Sequence, residues 1–431
     1  MLESNSQIKV RLYLEKVRFE ILPFIFLSLP LVPKISSILI IIYAAASLLL
    51  LNRQHFKNVF AKKDFIAYML LHVMLVFGLL YSIDSESGLS KIQTQISLLI
   101  LPLFFGGSNL MFKYRQKCLT YFLIGVVIAV LLCLGHGLYR VITQESVYVI
   151  DQFDQKNNVF FYQQFSSILD LHPTYFSLYL GIGLFCLMER SFLKVNRNLL
   201  LRICVIFLLF TALFLTSSKA GIFSFIAVTA GFFVYKALIK RSRIHLGLLV
   251  ILVSGFLVMY TVNPVFQKRS IQGITGFKKV FFENEFINES TSIRFHLWIL
   301  SYNISKESPF LGYGTGSTKE ALNQKCLKFY AFSTCERLRN KNSHNQFLEF
   351  LVANGSIFVL VFIFSLVLGL ARAFRNKDQL LGLFLAFMTL NFLFESILQR
   401  ERGIVLFMLF IVILSVSQGP SLKKENLTPP Q

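Results

Sequence analysis

Charge is scarce in this sequence: Asp, Glu, Lys and Arg together make up 15% of 431 residues. Several other signals are absent. No Cys/His spacing resembles a zinc site. There is no soluble domain, low-complexity tract or obvious internal repeat. The ten-residue alternation of an outer-membrane barrel is missing too, which excludes that class. The first apolar run lacks a small-residue cleavage site and follows a charged lead, so no cleavable signal peptide is expected. What is present is apolar: 55% hydrophobic residues, 47 Phe and a mean hydropathy of +0.62. These values describe an integral membrane protein.

A bilayer core about 30 Å thick takes about 20 apolar residues per helix. Runs of that kind fall at roughly 20–33, 36–51, 65–83, 92–110, 119–139, 172–188, 199–216, 220–238, 245–262, 346–370, 378–397 and 403–417. The expected fold is therefore all-α, a polytopic membrane protein with about 12 transmembrane helices. Nine helices would occupy 1–262 and three 346–417, with a tail over 418–431. The exception to this pattern is 263–345, one long, external, partly helical loop.

The net charge of +21 is distributed as topology requires, not as a nucleic-acid patch. Basic residues cluster in every second loop: Lys9 to Arg18, Arg53 to Lys63, Lys113 to Lys117, Arg190 to Arg197, Lys236 to Arg243, Arg372 to Lys377, and Lys423 with Lys424. The positive-inside rule then puts both termini in the cytoplasm. The long loop is itself basic, but loops beyond about 60 residues escape that rule.

Cys118, Cys133, Cys186 and Cys204 fall in or beside apolar runs and read as small packers. Cys326 and Cys335 lie in the external loop, where an oxidising environment favours a disulfide over two free thiols. Within that loop Thr291 to Ser305 reads as a helix. Ser317-Thr318-Lys319-Glu320 fits a capping box opening another, and Ser343-His344-Asn345-Gln346 fits one opening the tenth span. The Gly312-Tyr313-Gly314-Thr315-Gly316 turn lacks the βαβ setting of a dinucleotide site. Its glycines suit a tight turn or a close backbone approach to a ligand. The second external loop, roughly 141–171, is polar and aromatic, with Tyr148, Phe153 and Tyr162.

With Ser343 as N-cap, His344 would sit in the first helical turn, where the dipole favours a neutral imidazole. A neutral ring near its reference pKa of about 6.5 is a competent general base. Two cations look misplaced by topology: Lys219, in a very short external hairpin, and Arg294, on the loop helix that also carries Trp298. Either suits an anionic substrate at the bilayer surface, Arg by bidentate contact and Lys as a point charge. Each could equally be a solvated charge. Support is assigned to Asn345, Gly312, Gly314, His172 at the head of the sixth span, and Arg402. The mixed charges from Glu395 to Arg402 are expected to pair among themselves.

Together, Thr216-Ser217-Ser218-Lys219-Ala220-Gly221, Arg294 to Trp298, Pro309 to Gly316 and Ser343-His344-Asn345-Gln346-Phe347-Leu348 resemble the O-antigen ligase and O-antigen polymerase superfamily. The resemblance implies transfer of a glycan from a polyprenyl diphosphate carrier to an acceptor hydroxyl on the periplasmic face of a bacterial inner membrane. It implies no cofactor and no metal. The acceptor would be glycan, lipid A-core or protein, which the resemblance does not separate. By that likeness His344 is the base and Arg294 a diphosphate ligand. Lys219 stands where the family has an arginine, so charge is kept and bidentate geometry lost. The rival class is a lipid-glycan flippase. Transporters place functional charges at the membrane midplane, whereas the candidates here gather at one face.

Overall fold

The structure is a computed structural model that describes residues 5–107, 111–144, 146–150, 156–189, 198–283 and 285–415. Arg190, Lys194, Arg197, Phe153 and the tail over 418–431 lie outside the described residues. Apart from a hairpin pairing Tyr148–Ile150 with Lys156–Asn158, the regular structure is helical.

The helices are α1 (Asn5–Ser28), α2 (Pro33–Leu48), α3 (Arg53–Phe60), α4 (Lys63–Leu79) and α5 (Ser85–Thr94). A short α6 (Ser97–Ile100) runs into a π-turn at Leu101–Phe105. There follow α7 (Met111–Gln144), α8 (Tyr162–Phe165), α9 (Pro173–Met188), α10 (Leu199–Leu215), α11 (Lys219–Ile239) and α12 (Arg243–Val262). The polar segment holds α13 (Pro264–Phe282), α14 (Ser290–Ser305), α15 (Thr318–Lys325) and α16 (Phe332–Leu338). The chain closes with α17 (Gln346–Asn376), α18 (Gln379–Phe394) and α19 (Glu401–Leu414).

Among the described residues, five segments are long and apolar enough to cross a membrane: Ser85–Phe105, Met111–Thr143, Lys219–Ile239, Arg243–Val262 and Gln346–Asn376. Pro33–Leu48, Pro173–Met188, Leu199–Leu215 and Gln379–Phe394 are shorter apolar helices. Each of the twelve apolar runs falls largely on one or more of the helices α1 to α19, but among the described residues five segments, not twelve, meet the length and composition of a span. The first run is the least regular: α1 begins well before it, and the chain breaks around Pro30 and Pro33.

Burial separates the helices by position. On α19 every residue from Gly403 to Leu414 is buried. Its rings meet neighbours at Phe410–Phe122 (4.9 Å), Phe410–Phe384 (5.3 Å) and Phe407–Phe392 (5.5 Å). An apolar helix buried on all sides is the centre of its bundle. By contrast, α12 buries only Leu252 among its residues and leaves an apolar surface outward.

The polar segment 263–345 is folded, not a linker. Leu297, Leu300, Ile304, Ala321, Leu322 and Leu338 form a second core with Val352 of α17. Cys326 and Cys335 are joined by a disulfide, their Cα atoms 5.7 Å apart. The glycine turn lies flat against two helices: Tyr313 N and Gly314 N donate to the Val352 and Ala353 carbonyls at 2.9 and 2.7 Å, and Thr315 N to Gly78 O at 3.0 Å. Gly314 has φ of +97°, and a Cβ there would fall 2.2 Å from Ser82 Cα. Only glycine allows that approach. The turn approaches backbone, and Gly312 and Gly314 serve packing.

Candidate active site

The site is built from the ends of four helices. The hairpin between α10 and α11 is shaped by its hydroxyls: Thr216 Oγ1 donates to Leu213 O at 2.6 Å, and Ser218 Oγ caps α11 by accepting from Gly221 N at 3.3 Å. Ser217 takes a left-handed φ of +47°. Asn263, the N-cap of α13, accepts from Phe266 N at 2.8 Å and donates to Phe214 O at 2.8 Å, which ties the polar segment to the hairpin. A Cβ on Gly221 would lie 1.9 Å from Ser177 Oγ, so α11 and α9 can touch only with glycine there.

Lys219 opens α11 and reaches the N-terminus of α14. Its Nζ donates to Glu289 Oε1 at 3.1 Å and Thr291 Oγ1 at 2.5 Å. Glu289 in turn caps α14, accepting from Thr291 N at 2.8 Å and Ser292 N at 3.3 Å. Burial would raise the Glu289 carboxyl, but the Lys219 charge and these backbone donors hold it below the usual range. Arg294 and Trp298 lie four positions apart on α14 and share a face. Arg294 Nη2 donates to Glu395 Oε2 at 3.0 Å, and Trp298 Nε1 donates to the His344 carbonyl at 3.2 Å.

His344 is not in a helical turn. The helix starts at Gln346 with Asn345 as N-cap, whose Oδ1 accepts from Phe347 N at 2.9 Å and Leu348 N at 3.1 Å. The expected cap, Ser343, is engaged elsewhere: Ser301 Oγ donates to its hydroxyl at 2.9 Å, and its N–H donates to Glu349 Oε2 at 2.9 Å. Gln346 does not reach back, because its Oε1 accepts from Leu398 N at 2.7 Å. His344 therefore precedes the helix, in the left-handed region at φ +46°. A non-glycine residue held there is strained and needs its surroundings to fix it. The other expected box also differs: Ser317 heads α15, but its hydroxyl pairs with Ser82 Oγ at 2.9 Å and Ile83 N at 3.1 Å.

The partner that organises His344 is Glu395, at the C-terminal end of α18. Its Oε1 lies 2.9 Å from His344 Nδ1 while Oε2 holds Arg294. One carboxylate, 12% exposed, thus bridges the two candidates. Burial alone would raise its pKa. The hydrogen bond and charge of His344 and the charges of Arg294 and His172 outweigh that and hold it at about 2. An ionised carboxylate only accepts, so the Nδ1 of a neutral His344 carries the proton and Nε2 is left as the base. The tautomer comes from this contact, and His344 lies outside the helical turn in which the dipole would favour a neutral ring.

His172 also belongs to this cluster. It caps α9 by accepting from Thr174 N at 3.3 Å through Nδ1. Burial lowers its pKa; the Glu395 charge opposes this, and Arg294, Arg269 and Arg400 add to it. Arg402 is drawn elsewhere, to the Asp170 backbone carbonyl, with the Asp170 carboxylate 3.7 Å away. The charges from Glu395 to Arg402 do not pair among themselves: Glu395 serves the site, Glu401 accepts from Ser37, and Arg402 binds Asp170. Reading the sequence missed Glu395. An acid at the C-terminal end of a helix, where the dipole disfavours it, was the available signal.

Residues 204–364 match the family described as O-antigen ligase. The chain carries that family's domain. In this O-antigen ligase domain the match takes in the hairpin with Lys219, Arg294 on α14, and His344 with the larger part of α17. It stops short of Glu395, and His172 precedes it. No curated protein matches the chain. Among the described residues, no group of three or more His, Cys, Asp or Glu could hold a metal ion.

Proposed function

We propose that this chain is a membrane glycosyltransferase that moves a glycan from a polyprenyl diphosphate carrier to an acceptor hydroxyl, with O-antigen ligation as its reaction. The observation that carries the reading is Glu395 bridging His344 and Arg294. Glycan transfer needs a base for the attacking hydroxyl and positive charge for the departing diphosphate, and this carboxylate sets one beside the other. His344 Nε2 takes the hydroxyl proton as the acceptor oxygen attacks the anomeric carbon. The bond from that carbon to the phosphate oxygen breaks, and the diphosphate leaves with the electron pair. Arg294 and Lys219 face the charge that develops, and removing one such donor typically costs about 10²–10³ in rate.

The reading places the protein in a bacterial inner membrane, with both termini cytoplasmic and the site periplasmic. The shorter apolar helices would complete a bundle of about 12 crossings. The fixed cations can fill the role of a metal ion, so transfer should survive chelation. Acceptor identity divides a ligase from a polymerase or a protein O-oligosaccharyltransferase; the glycan of a deletion strain would tell them apart.

The test is transfer by the purified full-length protein in detergent, with lipid-linked glycan, acceptor and chelator. His344→Ala and Arg294→Ala should abolish transfer while the protein stays folded. Near-normal activity in either variant removes its assigned role. No transfer by the wild-type protein with any acceptor class, together with carrier translocation in vesicles, would favour the flippase class instead.

A further inference from the structure

Arg269, on α13, is a cation of this cluster that the reaction scheme leaves unused. Its Nε donates to the carbonyl of Ser217 at 3.1 Å, and its guanidinium carbon lies 3.7 Å from the centre of the Tyr162 ring. The Tyr162 and His172 rings in turn stand nearly perpendicular, with centroids 6.5 Å apart. The charge of Arg269 acts on both His172 and Lys219, so the guanidinium lies within the cluster that Arg294 and Glu395 share. Three segments distant in sequence therefore converge to hold this side chain. One is the α10–α11 hairpin, another is α13, and the third is the segment at Tyr162.

Partners distinguish it from Lys219 and Arg294. Lys219 is paired with Glu289, and Arg294 with Glu395. Among the described residues no carboxylate pairs with Arg269. Around His172 and Lys219, the cations Lys219, Arg269, Arg294 and Arg400 outnumber the carboxylates Glu289 and Glu395 that act on the same two groups. The excess there is positive, and a diphosphate esterified at both ends carries two negative charges. The guanidinium is also partly committed. With Nε on Ser217 and one face against Tyr162, its two terminal nitrogens remain as a planar pair of donors. That pair matches two phosphate oxygens, whereas an ammonium offers only a point charge.

We propose that Arg269 is a phosphate-binding residue of this site, supplying the forked contact to the carrier diphosphate that Lys219 cannot. Tyr162 and the Ser217 carbonyl are its positioning groups. The inference rests on the transferase reading above.

The test is steady-state transfer by the full-length protein in detergent, with the polyprenyl-diphosphate-linked glycan as the varied substrate. Arg269→Ala should raise the KM for the carrier about 10- to 100-fold, the range for losing a hydrogen bond to a charged group. Arg269→Lys should stay impaired, because charge without a fork is not enough. Adding Lys219→Arg to Arg269→Ala should recover most of the loss by returning a fork from the hairpin. A wild-type KM in Arg269→Ala, full recovery in Arg269→Lys, or no recovery in the double variant would each overturn the assignment. Inhibition by inorganic pyrophosphate gives a second measure if Arg269→Ala folds poorly. It should weaken at least several-fold in Arg269→Lys, and unchanged inhibition counts against the proposal. Arg294→Ala is assayed alongside. If it is inactive while Arg269→Ala is normal, Arg269 alone is wrong; if both are fully active, the transferase reading fails.

Discussion

Replacing Glu395 with glutamine tests the site with almost no change in shape. The carboxylate accepts at both oxygens, from His344 at 2.9 Å and Arg294 at 3.0 Å. A carboxamide has one acceptor oxygen and one donor nitrogen, so it can satisfy only one of them. With its oxygen toward Arg294, its NH₂ faces His344 Nδ1, and the imidazole must move its proton to Nε2 and lose its base. With its oxygen toward His344, its NH₂ opposes the guanidinium, donor against donor. Either arrangement forfeits a charge-assisted hydrogen bond worth about 1.5–3 kcal/mol. The first also forfeits general-base catalysis, typically about 10²–10⁴ in rate. Glu395→Gln should therefore lower kcat by about 10²–10⁴, at the scale of the base it disables. Arg294 is 24% exposed and keeps contact with water. The stability loss should then stay below the roughly 3–5 kcal/mol of a fully buried pair. Initial transfer rates at saturating carrier between pH 6 and 8.5, with thermal unfolding in parallel, give both quantities. A Glu395→Gln enzyme within about twofold of wild-type kcat, a change under about 0.5 kcal/mol, would refute the bridge as the organiser of the site.

Three further outcomes follow from the same geometry. Asn345→Ala should cost about 0.5–2 kcal/mol by thermal unfolding, whereas Asn345→Asp, which caps as well, should cost little; equal losses would return the cap to Ser343. Glu395 is depressed to about 2 and Glu289 is also depressed, so both stabilise the fold at pH values above their unfolded range near 4.5. That contribution should be lost as pH falls from about 4.5 toward 2, seen by circular dichroism, and Glu395→Gln should flatten the lower part of the curve. Finally, maleimide labelling of Cys326 and Cys335 should require prior reduction; labelling without reductant contradicts the bridge.

The bundle was legible because apolar runs such as 199–216 and 220–238 have one use, and their helices follow them closely. His344, Arg294 and Lys219 were legible as polar side chains out of keeping with their surroundings. The contacts that organise them were not. Ser343 and Asn345 are equally good caps by residue type, and the choice rests on Ser301, 42 positions earlier, engaging Ser343. Glu395 meets His344 across 51 residues and a pair of helices, a distance no local pattern spans. It looked like one member of a charged turn, and its neighbours Glu401 and Arg402 in fact turn away to Ser37 and Asp170. The left-handed backbone at His344 has no marker either, since such positions usually announce themselves by glycine or asparagine.

Trp298 is the only tryptophan in the chain, and its indole N–H donates to the backbone of His344 itself. The protein thus carries a built-in optical reporter at its proposed base. Indole emission responds to hydrogen bonding and polarity, and no other indole contributes background. Carrier arriving beside Arg294, one helical turn away on the same face, could be timed by stopped-flow fluorescence on unlabelled protein. Binding and chemistry could then be separated in a reaction otherwise read only by its glycan product.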